Sequence, residues 1–151
     1  NSVAQKTAGS HPVSEGDLGC FIGYALRRAQ LRVFDDFYRT LAAERITPAR
    51  FSALVIIDAN PGISQTALAQ TLDIARSGVV TLIDTLEHWD LVSREPIAAD
   101  KRAYALHLTR TGAATLRRVR AQVAIHEARV CQQLGEKDKQ KLLDMLSRVG
   151  P

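Results

Sequence analysis

The spacing of apolar residues between positions 63 and 109 constrains the fold of this chain more than any other feature. Six apolar side chains follow helical spacing there, which places them on the inner faces of two crossing helices: Leu68, Leu72, Ile74, Val79, Ile83 and Leu86. Ser64 is a suitable N-cap for the first helix, because its hydroxyl can accept a hydrogen bond from a free backbone N–H group. After a three-residue turn, small residues mark the start of the second helix: Ala75, Ser77 and Gly78.

Two short strands are expected to follow these helices, at residues 91–94 and 103–109. Between the strands, residues 95–102 have the composition of a solvent-exposed hairpin tip, with Pro96, Asp100, Lys101 and Arg102. Helix, turn, helix and hairpin in this order predict a winged helix-turn-helix, whose second helix would fit a DNA major groove. The alternative is a winged-helix interaction module that does not bind DNA.

The N-terminal third carries a long amphipathic pattern. Residues 1–16 are small and polar and predict a flexible arm. A long helix is expected from about residue 17 to 44. Thr47 should cap the helix that follows, with Pro48 in its first position.

Beyond the wing, a helix is predicted over about residues 110–134, with Gly135 as its break. A last helix over about 136–149 should bury four apolar side chains: Leu142, Leu143, Met145 and Leu146.

These patterns predict one domain, residues 1–151, that is mainly α with a small β-wing. The winged helix-turn-helix would occupy residues 47–109, flanked by N- and C-terminal dimerisation helices at 17–46 and 110–149. One copy cannot easily bury such long amphipathic terminal helices, so we expect a homodimer. Its two-fold symmetry would match a palindromic DNA site.

The net charge of +4 is unevenly distributed along the chain. Residues 47–110 hold six Lys/Arg against seven Asp/Glu, whereas residues 111–151 hold eight against four. The predicted winged helix-turn-helix, called the DNA reader below, is therefore not basic as a whole. A few individual basic side chains must carry its phosphate contacts: Arg76, Arg94, Lys101 and Arg102.

The sequence offers no pattern for catalysis or metal binding. Its two cysteines are too few for a zinc knuckle, and its four histidines are scattered without ligand spacing. We find no glycine-rich phosphate loop and no catalytic triad pattern, so neither an enzyme nor a cofactor is expected. No apolar run approaches the length of a membrane span, and a cytoplasmic location is expected.

Three segments, residues 47–54, 68–87 and 100–112, together resemble the MarR family of bacterial transcriptional regulators. The resemblance extends over almost all of residues 17–149 and implies a homodimer that binds a palindromic DNA operator, usually as a repressor. It also implies a small-molecule pocket between the dimerisation helices and the DNA reader.

The same resemblance assigns individual DNA contacts. Arg76, Ser77, Gly78 and Thr81 would enter the major groove, Ser64 and Gln65 would meet phosphates, and Arg102 would reach the minor groove. The chain departs from the family pattern at three positions, because Leu82 and Thr85 replace frequent basic residues and Asp90 replaces a frequent glycine.

The segment from Gly23 to Gln30 is similar to the MarR subgroup that responds to hydroxycinnamoyl-CoA thioesters. An aromatic acid or its CoA thioester is therefore the expected effector, which suggests a regulator of aromatic catabolism. The candidate ligand residues combine aromatic rings for the acyl group with cations for the phosphates: Phe21, Tyr24, Phe51, Arg27, Arg28 and Arg32.

A second sensing mechanism is thiol oxidation. Cys20 followed by Phe21 and Tyr24 resembles the reactive-cysteine segment of peroxide-sensing MarR proteins, and Cys131 lies near where some carry a resolving cysteine. A reactive thiol needs exposure and a depressed pKa. The sequence leaves both sensing mechanisms open.

Overall fold

The computed structural model describes residues 13–97 and 100–150, apart from the side chains of residues 100–102. It contains six helices and three strands within those ranges: α1 Ile22–Thr40, α2 Pro48–Ala59, β1 Ile63–Ser64, α3 Gln65–Leu72, α4 Arg76–His88, β2 Val92–Ile97, β3 Asp100–Leu108, α5 Arg110–Val130 and α6 Gly135–Ser147. The chain divides into two units, Asn1–Arg32 and Val33–Pro151. The mainly helical fold with a small β-wing is confirmed.

Side-chain caps define where α2 and α3 begin. The Thr47 hydroxyl accepts a hydrogen bond from the Arg50 backbone N–H at 3.2 Å, and Pro48 occupies the first position of α2. The Ser64 hydroxyl accepts from the Ala67 N–H at 3.1 Å and opens α3. Both caps were expected from the sequence, because each satisfies a backbone donor that the first helical turn leaves free.

The helix-turn-helix closes over a fully buried apolar core. The predicted inner-face residues Leu68, Val79, Ile83 and Leu86 are all buried, together with Leu54 and Ile57 of α2. Between α3 and α4, Asp73 adopts the left-handed conformation (φ 52°), which turns the chain within three residues. Ile74, expected on the inner face, is instead partly exposed in this turn.

The wing is a three-stranded antiparallel sheet in the order β1-β3-β2. Its register pairs Ile63 with Leu106, Val92 with Leu108 and Pro96 with Tyr104. The strands extend further than expected, so most of the predicted loop at 95–102 is strand. The edge position of β2 accommodates Pro96, which cannot donate a ladder hydrogen bond. The two-residue strand β1 was not predicted, since it is too short to show a period.

The first turn of α5 is hydrogen-bonded to, and packed against, the base of the wing. The Thr109 hydroxyl accepts from the Gly112 N–H at 2.9 Å and donates to the Asp90 carbonyl at 2.5 Å. A Cβ atom at Gly112 would lie 1.9 Å from the Leu91 carbonyl oxygen, so only glycine fits this approach. Helix and wing therefore meet without space for a side chain.

A partly buried polar cluster joins the C-terminal half of α1 to α5. The Asp36 carboxylate contacts His126 Nδ1 at 2.7 Å and accepts two hydrogen bonds of 2.9 Å from Arg129. These bonds from Arg129 and His126 lower the pKa of Asp36 to about 2. The Phe37 ring packs edge-on against the His126 ring, with ring centroids 5.3 Å apart. Polar pairing and aromatic packing together fix these two helices.

The predicted continuous helix from 17 to 44 is wrong. The α-helix proper is α1, preceded by a 3-10 turn at Leu18–Cys20 and followed by another at Ala42–Glu44. Arg45 then turns the chain with a φ of 55°. Leu41 and Ile46, on either side of the second turn, are both in the core.

The C-terminal prediction needs two corrections. Helix α5 ends at Val130, and Gly135, predicted as a break, is the first residue of α6 with a φ of 67°. The expected burial of Leu142, Leu143, Met145 and Leu146 is wrong within one chain, because these side chains are 39–52% exposed. The apolar periodicity of α6 is real, but no element of the described chain covers it. Of the predicted arm, residues 1–12 lie outside the described residues.

Candidate DNA interface and effector residues

The outer face of α4 carries the predicted major-groove residues. Arg76, Ser77, Gly78 and Thr81 are exposed, while Val79 and Ile83 fix the opposite face in the core. A Cβ atom built on Gly78 would meet no atom within 4 Å. Nothing within the described chain therefore requires glycine at this position, which lies in the first turn of a helix where glycine is unfavourable.

A cleft of about 370 Å³ lies beside this face, between the first turns of α3 and α4 and the wing. It brings together three predicted contacts, Ser64, Gln65 and Arg76, with four further lining residues, Thr66, Val80, Ala103 and Tyr104. The Arg76 guanidinium donates to the Thr66 hydroxyl at 2.7 Å across the cleft. Polar groups of α3 and α4 thus converge on one open surface.

Of the four lining residues that were not among the predicted contacts, Thr66 and Tyr104 carry hydroxyl groups. Tyr104 is 40% exposed and reaches the cleft from β3. The sequence showed that Tyr104 lies on one face of a strand. It could not show that this face turns toward α4, because that depends on the sheet register. The Thr66 hydroxyl gave no sequence signal beyond its place in the first turn of α3.

Arg94 occupies a different position from the one expected of a DNA contact. Its side chain is only 15% exposed, and it donates to Gln65 Oε1 at 2.7 Å, Asp84 Oδ1 at 2.6 Å and Glu87 Oε2 at 2.5 Å. Burial alone would lower the pKa of Arg94, but its hydrogen bonds to Asp84 and Glu87 outweigh burial and raise that pKa. The charged guanidinium thus already has three partners within the protein.

The remaining two predicted wing contacts, Lys101 and Arg102, belong to β3 by their backbone. Their side chains lie outside the described part of the structure. The DNA contacts expected of them stay predictions.

The three departures from the family pattern have local explanations. Leu82 is half-buried against the core, and the Thr85 hydroxyl donates to the Thr81 carbonyl at 3.0 Å. Asp90 adopts a left-handed φ of 54°, as a glycine would, and its carboxylate accepts from the Thr111 hydroxyl at 3.0 Å. After glycine, Asp and Asn are the residues that adopt this conformation most readily.

Five of the six candidate effector residues lie in the first unit. Tyr24 and Arg28 are neighbours there, because the Arg28 guanidinium donates to the Tyr24 phenolic oxygen at 3.2 Å and to Glu15 at 2.6 Å. The bond with Tyr24 and the Glu15 charge raise the pKa of Arg28. Among the described residues, Arg27 and Arg32 make no ion pair, and Phe21 is exposed.

The sixth candidate, Phe51, belongs to the second unit. It is half-buried and packs against Phe37 with ring centroids 6.1 Å apart. Its aromatic face thus has a structural partner within that unit.

The cysteines offer little support for thiol sensing. Burial raises the pKa of the Cys131 thiol, and the negative charge of Glu127 raises it further. A raised pKa reduces the thiolate that oxidants attack. Cys20 is exposed and lies in the first unit, whereas Cys131 lies in the second.

Within the described ranges, no group of three His, Cys, Asp or Glu side chains could hold a metal ion. No described helix combines the length and apolar character needed to cross a membrane.

Comparison with known proteins places this geometry in a family. Residues 46–103 match the profile of the MarR family. A protein of Thauera aromatica with a proposed role as transcriptional regulator of the hcr operon is 33% identical over 135 residues, which cover 89% of this chain and 81% of that protein.

Two solved structures of the transcriptional repressor CouR are also similar. CouR bound to a 23-mer DNA duplex is 44% identical, with a TM-score of 0.88 over 92% of this chain and 99% of that chain. CouR bound to p-coumaroyl-CoA is 42% identical, with a TM-score of 0.84 over 91% and 97% of the two chains. With its winged helix-turn-helix and these relatives, the chain belongs to the MarR family of transcriptional regulators.

Proposed function

We propose that this protein is a non-enzymatic cytoplasmic repressor that binds a palindromic DNA operator as a homodimer. An aromatic acid, preferentially as its CoA thioester, would release it from DNA. The observation that carries the proposal is the exposed face of α4, which stands beside the polar cleft of Ser64, Gln65 and Arg76. The similarity to CouR, which has been solved on a DNA duplex, supports the same function.

The homodimer is supported by apolar side chains that a single chain leaves uncovered. Leu143 and Met145 of α6 and Ile125 of α5 are 52%, 49% and 61% exposed. Fully burying a large apolar side chain contributes about 1.5–3 kcal/mol. These three are about half exposed, so covering each with a second copy contributes roughly half of that. A two-fold dimer would place its two α4 helices about one DNA turn apart.

The effector proposal rests on the cations and aromatic rings of α1. Arg27 and Arg32 make no ion pair within the described residues, whereas Arg28 is already bound to Glu15. Arg27 and Arg32 are therefore the best candidates to bind CoA phosphates, with Tyr24 for the acyl ring. The solved complex of CouR with p-coumaroyl-CoA supports this ligand class.

Selection from random DNA duplexes tests operator binding. We expect enrichment of a palindrome whose half-sites lie about 10 base pairs apart. Ser77→Ala should cost about 1–3 kcal/mol and relax base preference, while Arg102→Ala should weaken binding to all sequences and reduce the salt dependence. If no palindrome is enriched, the repressor proposal fails.

Titration of the operator complex tests the effector. The ligands are p-coumaroyl-CoA, free p-coumarate and free CoA, with the double variant Arg27→Ala/Arg32→Ala. Coupling of about 1–3 kcal/mol predicts a 5- to 150-fold loss of operator affinity with the thioester. The double variant should need more thioester, whereas Arg39→Ala, which breaks only an exposed pair with Asp35, should respond normally. Equal responses to free p-coumarate would refute the CoA requirement.

A further inference from the structure

Arg94 is the point where three parts of the DNA reader meet. From β2 it donates to Gln65 at the start of α3 and to Asp84 and Glu87 on α4. An arginine has five N–H groups in a rigid fork and no acceptor, so each of these bonds fixes the orientation of its partner. The side chain is mostly buried by these contacts, which leaves little of it for an outside ligand.

The bond with Gln65 determines how that amide is oriented. Because Arg94 can only donate, the atom that faces it must be the carbonyl oxygen of Gln65, at 2.7 Å. The amide NH₂ group of Gln65 is then left as a donor. Since Gln65 lines the cleft beside α4, this donor is available to a DNA phosphate.

The bonds with Asp84 and Glu87 have an electrostatic consequence. These carboxylates are 58% and 42% exposed on the recognition helix, where negative charge would repel the DNA backbone. Arg94 places a positive charge within hydrogen-bond distance of both. It thereby reduces the repulsion without touching DNA.

We propose that Arg94 is a positioning residue of the DNA reader, which orients the Gln65 amide toward phosphate and partly offsets the negative charges of Asp84 and Glu87. This inference rests on the proposed operator binding. It replaces the expectation that Arg94 itself contacts DNA, and it adds a role for two acidic residues that sequence reasoning left unassigned.

Operator affinity of charge variants, measured at several salt concentrations, tests the electrostatic role. If Arg94 offsets the carboxylate charges, Arg94→Met should weaken binding about 5- to 10-fold at low salt, and the loss should shrink as salt screens the unmasked repulsion. The triple variant Arg94→Met/Asp84→Asn/Glu87→Gln should recover part of this affinity, because the unmasked charges are gone. Arg39→Met is the matched control, since it removes one arginine from an exposed pair with Asp35 and should bind normally.

A direct phosphate contact predicts a different result for the triple variant. The loss would then come from the missing cation itself, so removing the two carboxylate charges would recover nothing. This result, or unchanged affinity in Arg94→Met, overturns the proposal. If selection with the parent protein enriches no palindrome, operator binding itself is refuted instead.

Two further variants keep the test valid if Arg94→Met does not fold. Gln65→Glu retains an acceptor for Arg94 but removes the amide donor, so it should bind the operator about 10-fold or more weakly with an unchanged melting curve. Arg94→Lys keeps the charge but loses the fork, and its affinity should lie between those of the parent and Arg94→Met. Normal binding by Gln65→Glu would overturn the orienting role.

Discussion

Gly78→Ala should make the protein more stable and a weaker DNA binder at the same time. In the free protein the added methyl group meets open space, because no atom lies within 4 Å of the Cβ position. Alanine also loses less backbone entropy than glycine on entering a helix. We therefore expect unfolding free energy to rise by about 0.5–1 kcal/mol and the melting temperature by about 1–4 °C.

On the operator the same methyl group should stand between the α4 backbone and the DNA. Displacing the helix disturbs neighbouring base contacts, each worth about 1–3 kcal/mol. The expected loss is then about 5- to 150-fold in operator affinity. Thermal unfolding of the free protein and fluorescence anisotropy with a labelled operator measure the two effects separately.

Gly23→Ala is the matched control. It makes the same chemical change in α1, also at a glycine with no atom within 4 Å of its Cβ position. This variant should gain similar stability and bind the operator normally. Unchanged operator affinity in Gly78→Ala would refute the close approach of α4 to DNA, and equal losses in both variants would show that the effect is not local to α4.

Three further predictions concern stability and sensing. The carboxylate of Asp36 has a pKa of about 2, below its ordinary value of 3.8, so its pairing with Arg129 and His126 stabilises the fold fully above about pH 4 and is lost as the pH falls toward 2. Urea unfolding across this range should show that loss in the parent protein and a flatter profile in Asp36→Asn. Gly112→Ala should destabilise the protein by about 1–3 kcal/mol or more in the same assay, since its Cβ atom would overlap the Leu91 carbonyl, and a normal midpoint would contradict this contact. Cys20→Ser/Cys131→Ser should retain the effector response in operator titrations, and loss of a parental hydroperoxide response in this variant would favour thiol sensing instead.

Local chemistry made much of the fold predictable from the sequence. The caps at Thr47 and Ser64 and the buried stripe through Val79 and Ile83 depend on residues within one or two helical turns of each other. The same holds for the exposed groove face of α4, since it is the complement of the buried stripe. The start and type of these elements could therefore be predicted before their packing was known.

Contacts between residues far apart in the sequence could not be predicted. Gln65 and Arg94 are 29 residues apart, and only the packing of the wing brings them together. The strand lengths and the position of Tyr104 at the cleft likewise depend on the register of β2 and β3. For α6, periodicity identified an apolar face but could not tell whether the same chain or a partner covers it.

The close contact between Gly112 and Leu91 couples movements of α5 to the wing. A helix of 21 residues is about 32 Å long, so a tilt of about 5° moves its far end by roughly 3 Å. Because the first turn of α5 packs directly on the base of the wing, we expect the wing to move with the helix when α5 tilts. A displacement at the distant end of α5 would thus rotate the wing together with the helix.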